Sequence, residues 1–437
     1  MEKNDKKVIR SWAFFDWANS AYNLVITSTI FPAYYTIITT TQAHGDQVMF
    51  FGRTFTNTAL SNYALSVAYL IMVILLPFLS SMADYRGNKK LFMKLFTYMG
   101  GLACVGLYFF KLDTLELGII CFALAAMGYV GGVMFNNSYL PEIATTDQQD
   151  RVSAKGFAYG YIGSVLLQLI CFLFVLKPEW FGIIDPSFPP RLSFLLVGLW
   201  WIGFAQIPFR KLPADNPNYK KINKRVIHSG FEELSKVWKQ LKHMPFLKVY
   251  LIAFFFYSMG VQTIMLAAAG FGEKTLQLGT ENLIKVILII QLVAILGAII
   301  MSRFAKKIGN INVLIIVVVI WIVTCFCAYY VTTASQYYGL AAIVGLIMGG
   351  IQSLSRSTYS KHLPADTPDT ASYFSFYDVT EKMAIVIGLF SFAFIEEQTG
   401  SMRNSIIALA SFFIIGLVFL LLLKSVEQKL NRKVVVD

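Results

Sequence analysis

The sequence predicts an all-α membrane protein of twelve transmembrane helices in two six-helix bundles, with both termini on the cytoplasmic side. Three observations predict it. The 437 residues are 56% hydrophobic and only 14% charged, a balance outside the range of soluble domains, so the bilayer is the first candidate solvent. Apolar runs long enough to cross a hydrocarbon core, which takes about 20 helical residues, recur six times in each half of the chain. With the N-terminus inside, most of the 37 Lys and Arg fall on inner connections. The net charge of +12 is then the positive-inside pattern of a membrane protein, and nucleic acid is not needed as a partner.

The first-half runs lie near 17–41, 58–82, 91–110, 115–136, 153–176 and 191–209. Asp16, Asn19 and Asn23 interrupt the first run, which argues for a retained helix over a cleaved leader. At about 100° per residue, Asp16, Asn19, Ser20, Asn23, Thr27 and Tyr34 share one face of it. The fourth run carries Gly128, Gly131 and Gly132, which permit close helix approach, then Asn136, Asn137 and Pro141 at its end. The fifth places Tyr161, Ser164 and Gln168 on one side.

Residues 211–245 form the longest inner connection and divide the chain into a first bundle (1–210), a cytoplasmic linker and a second bundle (246–437). Within the linker, Ser229 to Glu232 has the form of a capping box. Phe231, Leu234, Trp238 and Leu241 follow at helical spacing opposite Lys236, Lys239 and Lys242. Such a helix suits the inner membrane surface, or equally the protein's own cytoplasmic face.

The second-half runs lie near 246–270, 283–304, 311–332, 336–357, 372–395 and 404–423. The seventh offers Gln262 and Thr263, and the tenth carries Gly345, Gly349, Gly350, Gln352, Ser353, Ser355 and Arg356. Ala305 to Asn310 after the eighth run repeats Ala83 to Asn88 after the second, a faint duplication of the kind found in transporters built from two related bundles. The five cysteines fall within the runs without metal-binding spacing, and no metal or cofactor is expected.

A charge near the middle of a span costs about 2.5 to 3.5 kcal/mol on insertion scales, so it persists where it is paired or faces a cavity. In the eleventh run Ser375, Asp378 and Lys382 share a face, with Glu381 beside them and Asp378 placed to pair with Lys382 four residues on. The chemistry suits the carboxylate and ammonium of a solute, and it suits a self-shielding structural pair equally. Asp16, Asp378 and Glu381 are the candidate carriers of a coupling proton, Asp16 also being placed to favour a helix N-terminus. Asn19, Asn23, Asn136, Asn137, Tyr161, Gln168, Gln262 and Gln352, with Asp378 and Lys382, are the candidate solute-binding residues. Asn and Gln also serve as glue between helices. Asp84, Arg86 and Gly87 read as a conformational latch.

At Ser80 to Lys90 the chain resembles the major facilitator superfamily, whose second-to-third-span loop reads G-x3-D-R-x-G-R-K. Here Ser80 replaces the first Gly and Arg86 is shifted by one place. Trp12-x3-Asp16-Trp17-Ala18-Asn19-Ser20-Ala21-Tyr22, Asn137-Ser138-x-Leu140-Pro141, Arg151-Val152-Ser153-x2-Gly156-Phe157 and Gly349-Gly350-x-Gln352-Ser353-Leu354-Ser355-Arg356 are similar to the vacuole-effluxer-like branch. That branch includes fungal autophagy-associated amino-acid effluxers. Asn136 and Glu381 depart from its usual pattern. The resemblance implies the major facilitator fold, alternating access and release of amino acids or similar small solutes.

The sequence therefore favours a secondary transporter of a small polar solute, with the lipid bilayer and protons or another coupling ion as its other partners, in a bacterial inner membrane. A solute sensor on the same fold and a lipid-modifying membrane enzyme are the alternatives. Without a GxxxxGK[ST] motif the chain has no P-loop of its own for ATP hydrolysis, and no HExxH or GxSxG supports an enzyme.

Overall fold

In hydrocarbon a backbone can satisfy its N–H and C=O groups only within helices or closed barrels, and this chain takes the helical route. The computed structural model describes residues 2–41, 45–215 and 224–436, and their side chains except those of 224–231, 233, 280 and 430–436. Helix α1 (Lys6–Ala21) continues through a π-helical segment (Tyr22–Ile30) into α2 (Phe31–Thr39). A hairpin of β1 (Gln47–Phe50) and β2 (Arg53–Thr56) follows. Then come α3 (Asn57–Arg86), α4 (Lys89–Gly106), α5 (Leu115–Asn137), the single turn α6 (Leu140–Ile143), α7 (Gln149–Leu176) and α8 (Phe188–Lys211). The rest is α9 (Lys224–Lys242), α10 (Pro245–Lys274), α11 (Thr280–Ile308), α12 (Asn310–Tyr330), α13 (Ala334–Lys361), α14 (Thr370–Thr399) and α15 (Met402–Val436).

Among the described residues, ten helices are long and apolar enough to cross a membrane. The stretches expected as first and eleventh spans are helical as well: the first holds the π segment, the other is α14 with its charges.

Three expectations are corrected. The fold is not purely helical, because the connection after α2 forms the antiparallel hairpin, with Phe50 paired to Arg53. Phe51 and Gly52 both have positive φ (45° and 77°), the two-residue turn whose twist matches paired strands. The linker helix begins at Lys224, five residues before Ser229, so Ser229 is interior to it and not at its N-cap; its side chain lies outside the described residues. The stripe on the first helix assumed an α-helical pitch throughout, whereas the π segment, with its i→i+5 bonding, winds more slowly. Asn23 is exposed while Thr27 is buried, so these two no longer share a face.

The duplicated loop is visible in the backbone. Gly87 (φ 68°) ends α3, and Gly309 (φ 87°) separates α11 from α12, each in a conformation that favours glycine. Asn88 N–H donates to Ala83 O at 3.1 Å and Gly309 N–H to Ala305 O at 2.9 Å.

The chain divides into two compact units, the first made of residues 6–136 and 159–221, the second of 2–5, 137–158 and 222–437. The core of the first is aromatic, around Trp12, Tyr22, Phe31 and Trp201, with Phe31 stacked on Phe122 at 4.1 Å between centroids. In the second, α11 and α13 cross at glycines. A Cβ at Gly349 would collide with the carbonyl of Ala294, and one at Gly297 with that of Leu346. Small residues at such a crossing let dispersion and packing hold two helices that lipid would otherwise solvate equally well. At the ends of α10 and α13, His362 stacks on Phe246 at 3.5 Å between centroids, and its Nδ1 lies 2.9 Å from Thr358 O. Burial holds this imidazole below its usual range, against the opposing pull of the Thr358 carbonyl.

Two predictions follow from this packing. Gly349→Ala should lower the melting temperature of the detergent-solubilised protein, corresponding to about 1–3 kcal/mol of overpacking. Gly203→Ala, where a Cβ meets nothing, should leave it unchanged, and equal effects would refute the crossing as the cause. For His362, a depressed folded pKa means stability present above the unfolded value of about 6.5 and lost as pH falls below it. The melting temperature should fall between about pH 7 and pH 5, and His362→Phe should remove part of that fall.

Candidate functional site

The polar groups of the second unit gather on α14, α10 and α13. On α14, Lys382 Nζ lies 2.7 Å from Glu381 Oε2, and Gln262 Nε2 of α10 donates to Glu381 Oε1 at 3.0 Å. The expected pair of Asp378 with Lys382 is therefore corrected: Lys382 takes the carboxylate next to it. The longer Glu381 side chain can bend toward the ammonium, while Asp378 Oδ2 is buried with no hydrogen-bond partner. Asp378 is 1% exposed. A buried carboxylate oxygen without a donor is costly in an anion.

In the same unit, Arg356 of α13 forms a hub that the sequence presented only as part of a motif. Its Nε donates to Ser153 Oγ at 3.0 Å, Nη2 to Ser153 O at 2.8 Å and Nη1 to Asn137 Oδ1 at 3.0 Å. The guanidinium also lies 4.3 Å from the centroid of the Phe157 ring. Ser153 Oγ in turn donates to Ser353 O at 2.7 Å. The guanidinium fork reaches three acceptors at once, which the single ammonium of Lys could not reproduce. Asn137, expected as a solute ligand, is thus engaged by Arg356, and it stands where α5 ends before the short break leading to α6 and Pro141.

A second cluster joins the start of α7 to α12 and α13. Asp150 pairs with Lys361 and accepts from Asn310 Nδ2 at 2.7 Å, while Asn310 also meets Thr358 Oγ1 at 3.0 Å and Lys361 Nζ at 3.1 Å. Thr370 Oγ1 donates to Glu142 Oε1 at 2.9 Å. Neither Asp150 nor Lys361 figured in the sequence reading. The duplicated loop ending at Asn310 was the one signal that pointed here, since loops repeated at equivalent places are where a two-bundle protein makes and breaks contacts. Tyr257 OH and Ser355 Oγ are 2.7 Å apart, and Tyr250 OH donates to Ser355 O at 2.7 Å, so tyrosines of α10 brace the polar end of α13. Gln352 is half-buried on the same helix.

In the first unit, Asn136 Nδ2 lies 3.4 Å from Asp16 Oδ1, and Trp12 Nε1 donates to Asn136 O at 2.8 Å. Asp16, Asn136 and Trp12 therefore form one buried group. Asn19 is 1% exposed with its Nδ2 unpartnered. Gln168 accepts from Thr29 Oγ1 at 2.9 Å, which fastens the π segment to α7, and keeps a buried Nε2 without a partner. Tyr161 is buried on the same helix. Asn23 is exposed, as above. Asp84 and Arg86 occupy the last turn of α3, Arg86 buried, with Gly87 as its left-handed cap.

Replacing Arg356 with Lys should leave the acceptors on Ser153 and Asn137 without donors. The expected loss of stability is about 2–4 kcal/mol, from unmade hydrogen bonds to a charged group. Thermal unfolding of the purified protein measures it, and an unchanged melting temperature would mean that the hub carries no structural weight.

Residues 4–433 match the family model described as vacuole effluxer Atg22 like. The MFS-type transporter YxiO of Bacillus subtilis is 30% identical over 421 residues, covering 96% of this chain and 95% of that protein. Autophagy-related protein 22 of Kluyveromyces lactis is 24% identical, covering 84% and 80%. Among solved structures, the fucose transporter FucP in its outward conformation aligns with a TM-score of 0.68 at 13% identity, covering 95% of this chain and 98% of its own. The human organic anion transporter MFSD10 aligns at 0.70 with 9% identity, covering 96% and 100%. At these identities the structures speak for the fold alone.

Proposed function

Since the chain belongs to the Atg22-like vacuole effluxer family of MFS-type transporters, we propose that it is a twelve-span secondary active transporter of a small zwitterionic solute, an amino acid or a close relative. It works by alternating access of its 1–210 and 246–437 bundles, with both termini cytoplasmic, in a bacterial inner membrane. The observation that carries the reading is the face of α14. Lys382 offers an ammonium for a solute carboxylate, Glu381 and Gln262 offer acceptors for a solute ammonium, and Asp378 is a buried carboxyl without a donor. Both signs of charge on one intramembrane helix fit a ligand that carries both signs, and fit a sugar or a plain anion less well.

Asp378 is the strongest candidate for the coupling proton. Glu381 already has Lys382 and Gln262, and Asp16 has Asn136, whereas Asp378 has no hydrogen-bond donor at Oδ2. In the first unit Asn19 and Gln168 would bind solute through their unpartnered amide nitrogens, with Tyr161 in the same set, and in the second unit Gln352 would serve as well. The loop of Asp84, Arg86 and Gly87 would act as a latch during the transition.

The test is uptake of a panel of radiolabelled amino acids into proteoliposomes under an imposed pH gradient, beside thermal stabilisation by the same ligands. One amino-acid class should be carried and should raise the melting temperature. Lys382→Ala should weaken binding about 10- to 100-fold, the worth of a charged hydrogen bond. Asp378→Asn should keep binding while abolishing the response to the gradient. No uptake of any amino acid, with uptake of another solute class, would overturn the substrate reading, and gradient-driven uptake intact in Asp378→Asn would remove Asp378 as the proton carrier.

A further inference from the structure

The linker helix α9 has two faces with different chemistry. One is fastened to the beginning of α14. Val237 and Leu241 are buried, Lys236 Nζ lies 3.1 Å from Asp369 Oδ2, and Tyr373 OH donates to Gln240 Oε1 at 2.8 Å. Trp238 packs its ring 5.5 Å from that of Phe376. These contacts fall on the first two turns of α14, the helix that carries Asp378, Glu381 and Lys382.

The opposite face is cationic and open. Lys239 and Lys242 are exposed, and Lys239 has no ion pair or hydrogen bond among the described residues. Lys242 Nζ lies 5.3 Å over the Trp238 ring, and that ring is 47% exposed. His243 and Lys248 are exposed just beyond. The described acid on that side of the helix is Glu232, two turns back. A half-exposed Trp under a Lys, at the level where a membrane-spanning helix begins, is the arrangement that suits the headgroup region: the ring takes the apolar boundary and the ammonium reaches the phosphates.

We propose that α9 is a sensor of membrane charge: Lys239, Lys242 and the edge of Trp238 bind the headgroups of anionic phospholipids, and the opposite face transmits that binding to the inner end of α14. When headgroups hold the outer face, α9 stays seated on Asp369, Tyr373 and Phe376, and the first turns of α14 are steadied. On a neutral membrane the only hold on α9 is its contact with the protein, and the two helices loosen together. This inference rests on the membrane-spanning reading and is independent of which solute is carried.

The experiment is hydrogen exchange, without solute, on the full-length protein in nanodiscs of phosphatidylcholine alone and of phosphatidylcholine with phosphatidylglycerol, following the peptides that cover 232–244 and 370–378. Phosphatidylglycerol should slow exchange in both segments, by up to about thirtyfold if both lysines engage the anionic surface. The slowing should vanish in the double variant Lys239→Gln, Lys242→Gln, and near 1 M NaCl, where the screening length falls to about 3 Å. Asp369→Asn should preserve the slowing in 232–244 and diminish it in 370–378, because the link to α14 is cut while the lipid face is intact. Equal exchange in the two lipids, or a full effect in the double Gln variant, would overturn the proposal. Inorganic phosphate reproducing the slowing in pure phosphatidylcholine would overturn it too, by making the face a phosphate site. Transport assays play no part in these outcomes, so a failure here is separate from a failure of the transporter reading.

Discussion

The interaction on which the second unit depends is the hold of Arg356 on Ser153 and Asn137. Within the hydrocarbon region no water is at hand to complete a polar group, so each charge must find its partners in protein or line a wet cavity. Arg356 meets a hydroxyl, a backbone carbonyl, an amide oxygen and the face of Phe157.

The same constraint explains why the glycines and the charges lie on the same helix. α13 approaches α11 so closely at Gly349 that only hydrogen fits, and a few residues on it carries Ser353, Ser355 and Arg356. Close backbone contact on one side fixes the helix as a rigid rod. Its polar end is then held in place by Tyr250 and Tyr257 through Ser355, and by Asp150 and Asn310 through Lys361 and Thr358. Rigid positioning is what lets a polar cluster act as a specific set of contacts.

Much of the helical layout was legible because hydropathy is a one-dimensional signal. Each expected apolar run corresponds to a helix, and even the duplicated loop could be read, since Gly87 and Gly309 repeat for a local conformational reason. The hairpin was not, because its turn puts Phe51 at a positive φ that nothing in the residue type announces. The π segment was not legible either. It shifts every later side chain around the helix, and its i→i+5 bonding is supported by Ser28 Oγ donating to Asn23 O and Thr29 Oγ1 to Leu24 O, contacts that no periodicity analysis at a fixed angle can foresee. The site residues were legible as types and illegible as pairs. That Asp378, Glu381 and Lys382 form an intramembrane cluster follows from their cost in lipid; which carboxylate takes the ammonium depends on side-chain length and on Gln262 arriving from α10. Asp150 and Lys361, separated by more than two hundred residues, have no local signature at all.

The choice of Glu381 over Asp378 has a further consequence for how solute and proton could be linked. One ammonium, Lys382, is paired with Glu381 and stands one helical turn from Asp378. On the proposed reading, a solute carboxylate that engages Lys382 would draw it from Glu381, and the freed carboxylate would become available to the solute's own ammonium beside Gln262. Binding of solute and of a proton on the neighbouring Asp378 would then be linked, and linkage is reciprocal: each would change the affinity for the other by the same factor. A single lysine beside two acids of unequal length would supply that link within α14 itself.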